Sequence, residues 1–158
     1  MTARTFESIV DLAAAIGAEL GPTPWHSIDQ HRIDTFAETT EDRQWIHVEP
    51  ERAAAGPFGG TIAHGYLTLS LVSVLLAESF EVVDAPATVN YGLDRVRFPA
   101  PVAAGSRIRG RTHLLDLKEV AHGRLLVSRI TVEIDGGTKP ACVADVLTLF
   151  PTWTEIPS

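Results

Sequence analysis

Between Gly65 and about Phe80 the chain is apolar almost all the way round. Leu67, Leu69, Leu71, Val72, Val74, Leu75 and Leu76 leave no broad polar face. A helix of that kind is covered on most sides, so the rest of the chain has to wrap it. Its greasiest part, Tyr66 to Ala77, is too short to cross a bilayer, which takes about 20 residues. The chain beyond this helix is strand-like. Thr88 to Phe98, Ser106 to Leu117, Arg124 to Ile134 and Ala141 to Phe150 each fit a strand. The third alternates cleanly, with Leu126, Ser128, Ile130, Val132 and Ile134 against Val127, Arg129, Thr131 and Glu133. Pro99, Pro101 and Gly105 divide the first pair, and His122-Gly123 and Gly136-Gly137 read as hairpin turns. The order predicts an α+β fold: four strands in a meander, an antiparallel sheet curled around one long central helix. Such a sheet has an open edge. Pairing two units would cover it, so a homodimer is expected.

Upstream of the helix the signals are shorter. Ser8 to Leu20 reads as an amphipathic helix, with Ile9, Leu12, Ala13, Ile16 and Leu20 at helical spacing and Gly21-Pro22 as its stop. Trp25 to Ile33 reads as a first strand and Asp34 to Glu41 as a short helix. Residues 42–60 read as irregular, punctuated by Pro50, Gly56, Pro57, Gly59 and Gly60. A long organised segment without regular structure inside a compact domain is more often functional than idle. There is no repeat at a fixed period and no low-complexity tract. The reading is one domain over residues 1–158, with an N-terminal helix at about 8–20 and a core at about 25–150.

Charge and cysteine usage narrow the functional classes. A net charge of -7 argues against a nucleic-acid or membrane-surface binder, whose footprint is basic. The single cysteine, Cys142, cannot form an internal disulfide, and no Cys/His set has structural zinc spacing. Glu7 and Asp11 interrupt the nearest candidate for a signal-peptide core, so a cytoplasmic location is expected.

The candidate chemistry lies in the irregular segment. Asp42 and His47, five residues apart, can share a proton near neutral pH. Alone, such a pair also fits a surface turn in which the histidine bonds to the acid. Gly65, at the start of the apolar helix, can offer a backbone N–H to a developing negative charge, or it can merely permit a tight turn into the helix. His64 reads as a satisfied core histidine rather than a catalytic one. Arg107, Arg109 and Arg111 share one face of a strand, where they can meet phosphates or form a solvated edge. The second is the commoner outcome, and Arg95 and Arg97 invite the same two readings.

The segments Phe36 to Pro50, Pro57 to Gly65 and Val89 to Pro99 resemble the MaoC-like dehydratase family, which includes the R-specific enoyl-CoA hydratases and a nodulation-protein-N-like branch. The resemblance covers roughly residues 25–150. It implies a hot-dog fold and a homodimer with sites near the subunit interface. It implies reversible syn addition of water across a trans-2-enoyl-CoA, giving an (R)-3-hydroxyacyl-CoA. Asp42 matches the family's catalytic acid, His47 its catalytic histidine, and Gly65 the glycine whose N–H holds the thioester carbonyl. Ser73 falls where the family has a serine that helps position the carboxylate. Asn90 and Gly92 are candidates for backbone contacts to the pantetheine. No metal and no cofactor are implied, since the acyl-CoA or acyl carrier protein thioester is the substrate. Many hydratases read Gly-Asp-x-Asn-Pro-x-His, where this chain has Glu41, Gln44 and Trp45 in place of Gly, Asn and Pro. The competing readings are a hot-dog thioesterase and a non-catalytic acyl-thioester-binding subunit.

Overall fold

A computed structural model describes residues 3–85 and 87–152. The elements run β1 (Arg4–Phe6), α1 (Ile9–Ala14), β2 (Glu19–Leu20), β3 (His26–Ile28), α2 (Gln30–Thr40), α3 (Trp45–Val48), α4 (Pro50–Ala54), α5 (Gly65–Ser70) and α6 (Val72–Ser79). They continue with β4 (Phe80–Val82), β5 (Val89–Arg97), β6 (Ser106–Val120), β7 (Gly123–Ile134) and β8 (Cys142–Pro151). The α+β arrangement is as expected. β6, β7 and β8 form an antiparallel meander, with registers such as Ile130 opposite Thr112 on one side and Ala144 on the other. β5 departs from it. It pairs with β8 instead of β6, so the sheet order is β2-β6-β7-β8-β5, and β3 shares the outer edge of β6 with β2. Turn chemistry fixes a hairpin, but Pro99 and Pro101 break the link from β5 to β6, and a broken link leaves the partner free.

The central helix is α5 and α6 joined through Leu71, whose backbone stays helical at φ -73 and ψ -13. Leu67, Thr68, Val72, Leu75, Leu76 and Ser79 make its buried stripe. Their neighbours in the core are Ile108, Ile130, Val132, Cys142, Ala144 and Val146 from the sheet, with Ile28 and Ile33. Gly110 lets the helix sit down on β6, because a Cβ there would lie 3.0 Å from Leu75 Cβ. The helix is not covered on every side, however. Tyr66 is 70% exposed, and Ser70, Ser73, Val74 and Ala77 share its open face. Cys142 is fully buried against the helix, and that burial pushes its thiol pKa up to about 11.

Two upstream expectations shift. The N-terminal helix ends at Ala14, not at Leu20, because Gly17 adopts φ +93 and Glu19–Leu20 pair with β6. The strand expected over Trp25 to Ile33 covers His26–Ile28 only. Asp29 then caps α2, accepting from the Arg32 N–H at 2.8 Å, so the helix begins four residues before Asp34. Residues 42–60 hold two short helices, α3 and α4, between their turns.

Candidate active site

α2 ends at Glu41, whose left-handed backbone (φ 63, ψ 9) turns the chain sharply back. This is the position where many hydratases carry glycine, the residue that adopts that conformation without strain. The turn delivers Asp42 to solvent and leads into α3, which buries His47. Trp45, at the start of α3, is braced rather than aimed at a cleft. Arg52 lies over its ring at 4.6 Å, and a Cβ on Gly56 would sit 3.0 Å from the same ring. Gln44 caps α3 through its backbone alone.

His47 is held from two directions. A carbonyl oxygen can only accept, so the 2.6 Å contact between His47 Nδ1 and the Ile62 oxygen places the proton on Nδ1. Its Nε2 is then left with a lone pair. Behind it, Gln30 donates to the His47 carbonyl at 2.7 Å, while the Thr61 hydroxyl donates to Gln30 Oε1. The Ile62 N–H donates to Ile46, and Ala63 and Ala104 tie residues 61–63 to residues 102–104. Burial lowers the His47 pKa, against the upward pull of its bond to Ile62 and of the Asp42 carboxylate. The imidazole is therefore neutral near pH 7.

The fold brings together Asp42, His47 and His64. One carboxylate oxygen and one ring nitrogen from each histidine lie within 4.8 Å of one another, a spacing that also admits a cation. The sequence suggests a satisfied core histidine at His64. The residue is buried, but only half satisfied: Nε2–H donates to the Asp42 main-chain carbonyl at 2.9 Å, and Nδ1 has no partner among the described residues. Its place directly before Gly65 is the one signal that could have marked it. Gly65 opens α5 beside this cluster, and among the described residues its N–H has no backbone acceptor. The Phe98 ring packs on it, 3.2 Å from where a Cβ would stand.

Ser73, Asn90 and Gly92 lie elsewhere in the chain. They line a cavity of about 290 Å³ between the central helix and β5, together with Leu69, Leu76 and Leu93. Ser73 is eight residues past Gly65, about 12 Å along a helix, and its hydroxyl donates to the Ser70 carbonyl, not to Asp42. The arginine stripe is paired. Arg107 meets Asp135, Arg109 and Arg111 share Glu133, and Arg107 and Arg109 cover Trp25, so the solvated-edge reading holds.

Comparison with known proteins bears on this geometry. Residues 11–135 match the family model described as a MaoC like domain. The chain is 48% identical over 148 residues to 3-hydroxyacyl-thioester dehydratase Z of Mycobacterium tuberculosis strain H37Rv, covering 93% of this chain and 98% of the relative. It is 46% identical over 146 residues to Nodulation protein N of Rhizobium leguminosarum bv. viciae, covering 90% and 91%. Among solved structures, the (R)-hydratase from A. caviae involved in PHA biosynthesis superposes with a TM-score of 0.71 at 22% identity, covering 86% of this chain and 96% of that one. The last likeness speaks to the fold alone, which is the α+β hot-dog fold. With the family model and two relatives spanning nearly the whole chain, the protein belongs to the MaoC-like dehydratase family, a family of hydro-lyases.

Proposed function

We propose that this protein is an (R)-specific enoyl-CoA hydratase, which adds water reversibly across a trans-2-enoyl-CoA to give an (R)-3-hydroxyacyl-CoA. The observation that carries the reading is the Asp42 carboxylate within 4.8 Å of a ring nitrogen of a neutral His47, next to the start of α5. The name of the mycobacterial relative, a 3-hydroxyacyl-thioester dehydratase, supports the thioester class. Asp42 and His47 hold one water between them. His47 Nε2 receives a hydrogen bond from that water and cannot give one, because its only proton is spent on Ile62. As the water oxygen bonds to C3, Asp42 takes its proton and the C2=C3 electron pair moves toward the thioester. The Gly65 N–H holds the resulting enolate oxygen. Asp42 then gives that proton up to C2, directly or by relay through the free His47 Nε2, and both side chains regain their starting charge. Water, thioester and these groups balance the reaction, so the reading includes no cofactor and no metal.

The same reading includes a homodimer. Tyr66, Val74, Tyr91, Leu93 and Phe98 are exposed apolar residues on the helix and around β5, which is the last strand in the sheet order. The cavity lined by Ser73, Asn90 and Gly92 belongs to that face, and they take part as substrate-facing or interface groups once it is covered. Incubation with crotonyl-CoA tests the assignment. Loss of enoyl absorbance without free thiol is expected, and a chiral assay of the product should show the (R) isomer. Asp42→Asn and His47→Gln should each lower the rate about 10²-fold or more. Release of free thiol instead would make the protein a thioesterase, and an Asp42→Asn variant with wild-type rate would end this assignment.

A further inference from the structure

We propose that His64 is a positioning residue, a single ring that holds both members of the acid–base pair in place. The inference rests on the function proposed above. One edge of the ring takes Asp42, through the Nε2–H bond to its main-chain carbonyl across 22 residues of sequence. The face takes His47, whose ring stacks on it with centroids 3.7 Å apart at 26°. Phe36 closes in on the ring from a centroid distance of 5.0 Å.

The anchor itself is rigid. His64 is 2% exposed. Its carbonyl accepts from the Leu67 and Thr68 N–H groups, and the preceding Ala63 N–H donates to Val102. Asp42 has no comparable support. It sits exposed in the turn between α2 and α3, and among the described residues no other hydrogen bond ties it to the body of the protein. The carboxylate of the pair thus takes its place from His64.

The ring is also locked into one tautomer. A carbonyl accepts and never donates, so Nε2 carries the proton and Nδ1 is a buried lone pair without a partner among the described residues. With Nε2 spent and Nδ1 closed to solvent, His64 does not handle the transferred proton. It acts through Asp42 and His47. A misplacement of about 1 Å at a reacting group can cost about 10²-fold in rate.

Steady-state kinetics on crotonyl-CoA test this with His64→Phe, which keeps a stacking ring and drops the N–H. It should lower kcat about 10- to 100-fold and leave KM within about threefold. In an Asp42→Asn background the same change should cost less than about threefold, because no carboxylate remains to be placed. An equal factor in both backgrounds, or an unchanged kcat in His64→Phe, overturns the proposal. His64→Gln, which keeps an amide N–H near the Nε2 position, should retain more kcat than His64→Ala; if the two are alike, the hydrogen bond is not what positions Asp42. This pair also carries the test should His64→Phe fail to fold. A readout without turnover separates this inference from the assignment of function. If the wild type leaves enoyl-CoA untouched, that assignment falls. Backbone order parameters for residues 41–44 then decide the clamp. A fall in the folded His64 variant supports it and no change overturns it.

Discussion

At the scale of single residues, the site depends on where protons already sit. His47 is neutral because burial holds its pKa below the ordinary imidazole value of about 6.5. Below that value the unfolded chain binds a proton that the folded chain resists. His47 therefore favours the folded state fully above about pH 6.5, and its contribution is lost as pH falls. An NMR titration of the His47 ring should give a midpoint below about 6.5, and a midpoint above it would contradict the buried, Ile62-bound ring. Asp42, His47 and Gly65 were legible in the sequence because they sit in two short motifs. Their supports were not. Gln30 reaches the pair from α2, and nothing in its local sequence marks it as a neighbour of His47; Thr61, Ile62 and His64 reach it from the segment before α5, where the place of His64 directly before Gly65 is the one signal. Glu41 in a left-handed turn is a related case. The residue type argued against a tight turn, and the geometry required one.

At the scale of elements, strands whose apolar residues alternate were readable to within a few residues, because one face of each is buried. β7 is the clearest, with Leu126, Ser128, Ile130 and Val132 buried in turn. The position of β5 was not readable, since pairing is a property of two strands and Pro99 and Pro101 leave the connection undetermined. β1 and β2 were missed because two or three residues carry no periodicity. How closely the helix approaches the sheet depends on Gly110. Gly110→Ala should destabilise the fold by about 1–3 kcal/mol, read as a shift in the urea midpoint, because its Cβ would press on Leu75. An unchanged midpoint would mean that α6 can move away from β6 without loss.

At the scale of the whole molecule, the helix reads as apolar on every side, yet one chain buries only part of it. The open face with Tyr66, Val74, Tyr91 and Leu93 accounts for the difference. Sedimentation should give a particle of twice the 17.1 kDa chain. The double change Tyr91→Lys and Leu93→Lys should shift it to single chains by placing charge in a dry contact. A wild type that sediments as single chains would refute the dimer. Among the described residues no helix is long and apolar enough to cross a membrane.

The burial of Cys142 has a consequence for the bench. With its pKa near 11, only about one molecule in ten thousand carries the thiolate at pH 7, and the sulfur is sealed from solvent. The folded protein is therefore silent toward disulfide dyes and alkylating reagents. Any yellow colour in an Ellman reaction comes from released coenzyme A, which makes the colorimetric separation of hydration from thioester cleavage free of background.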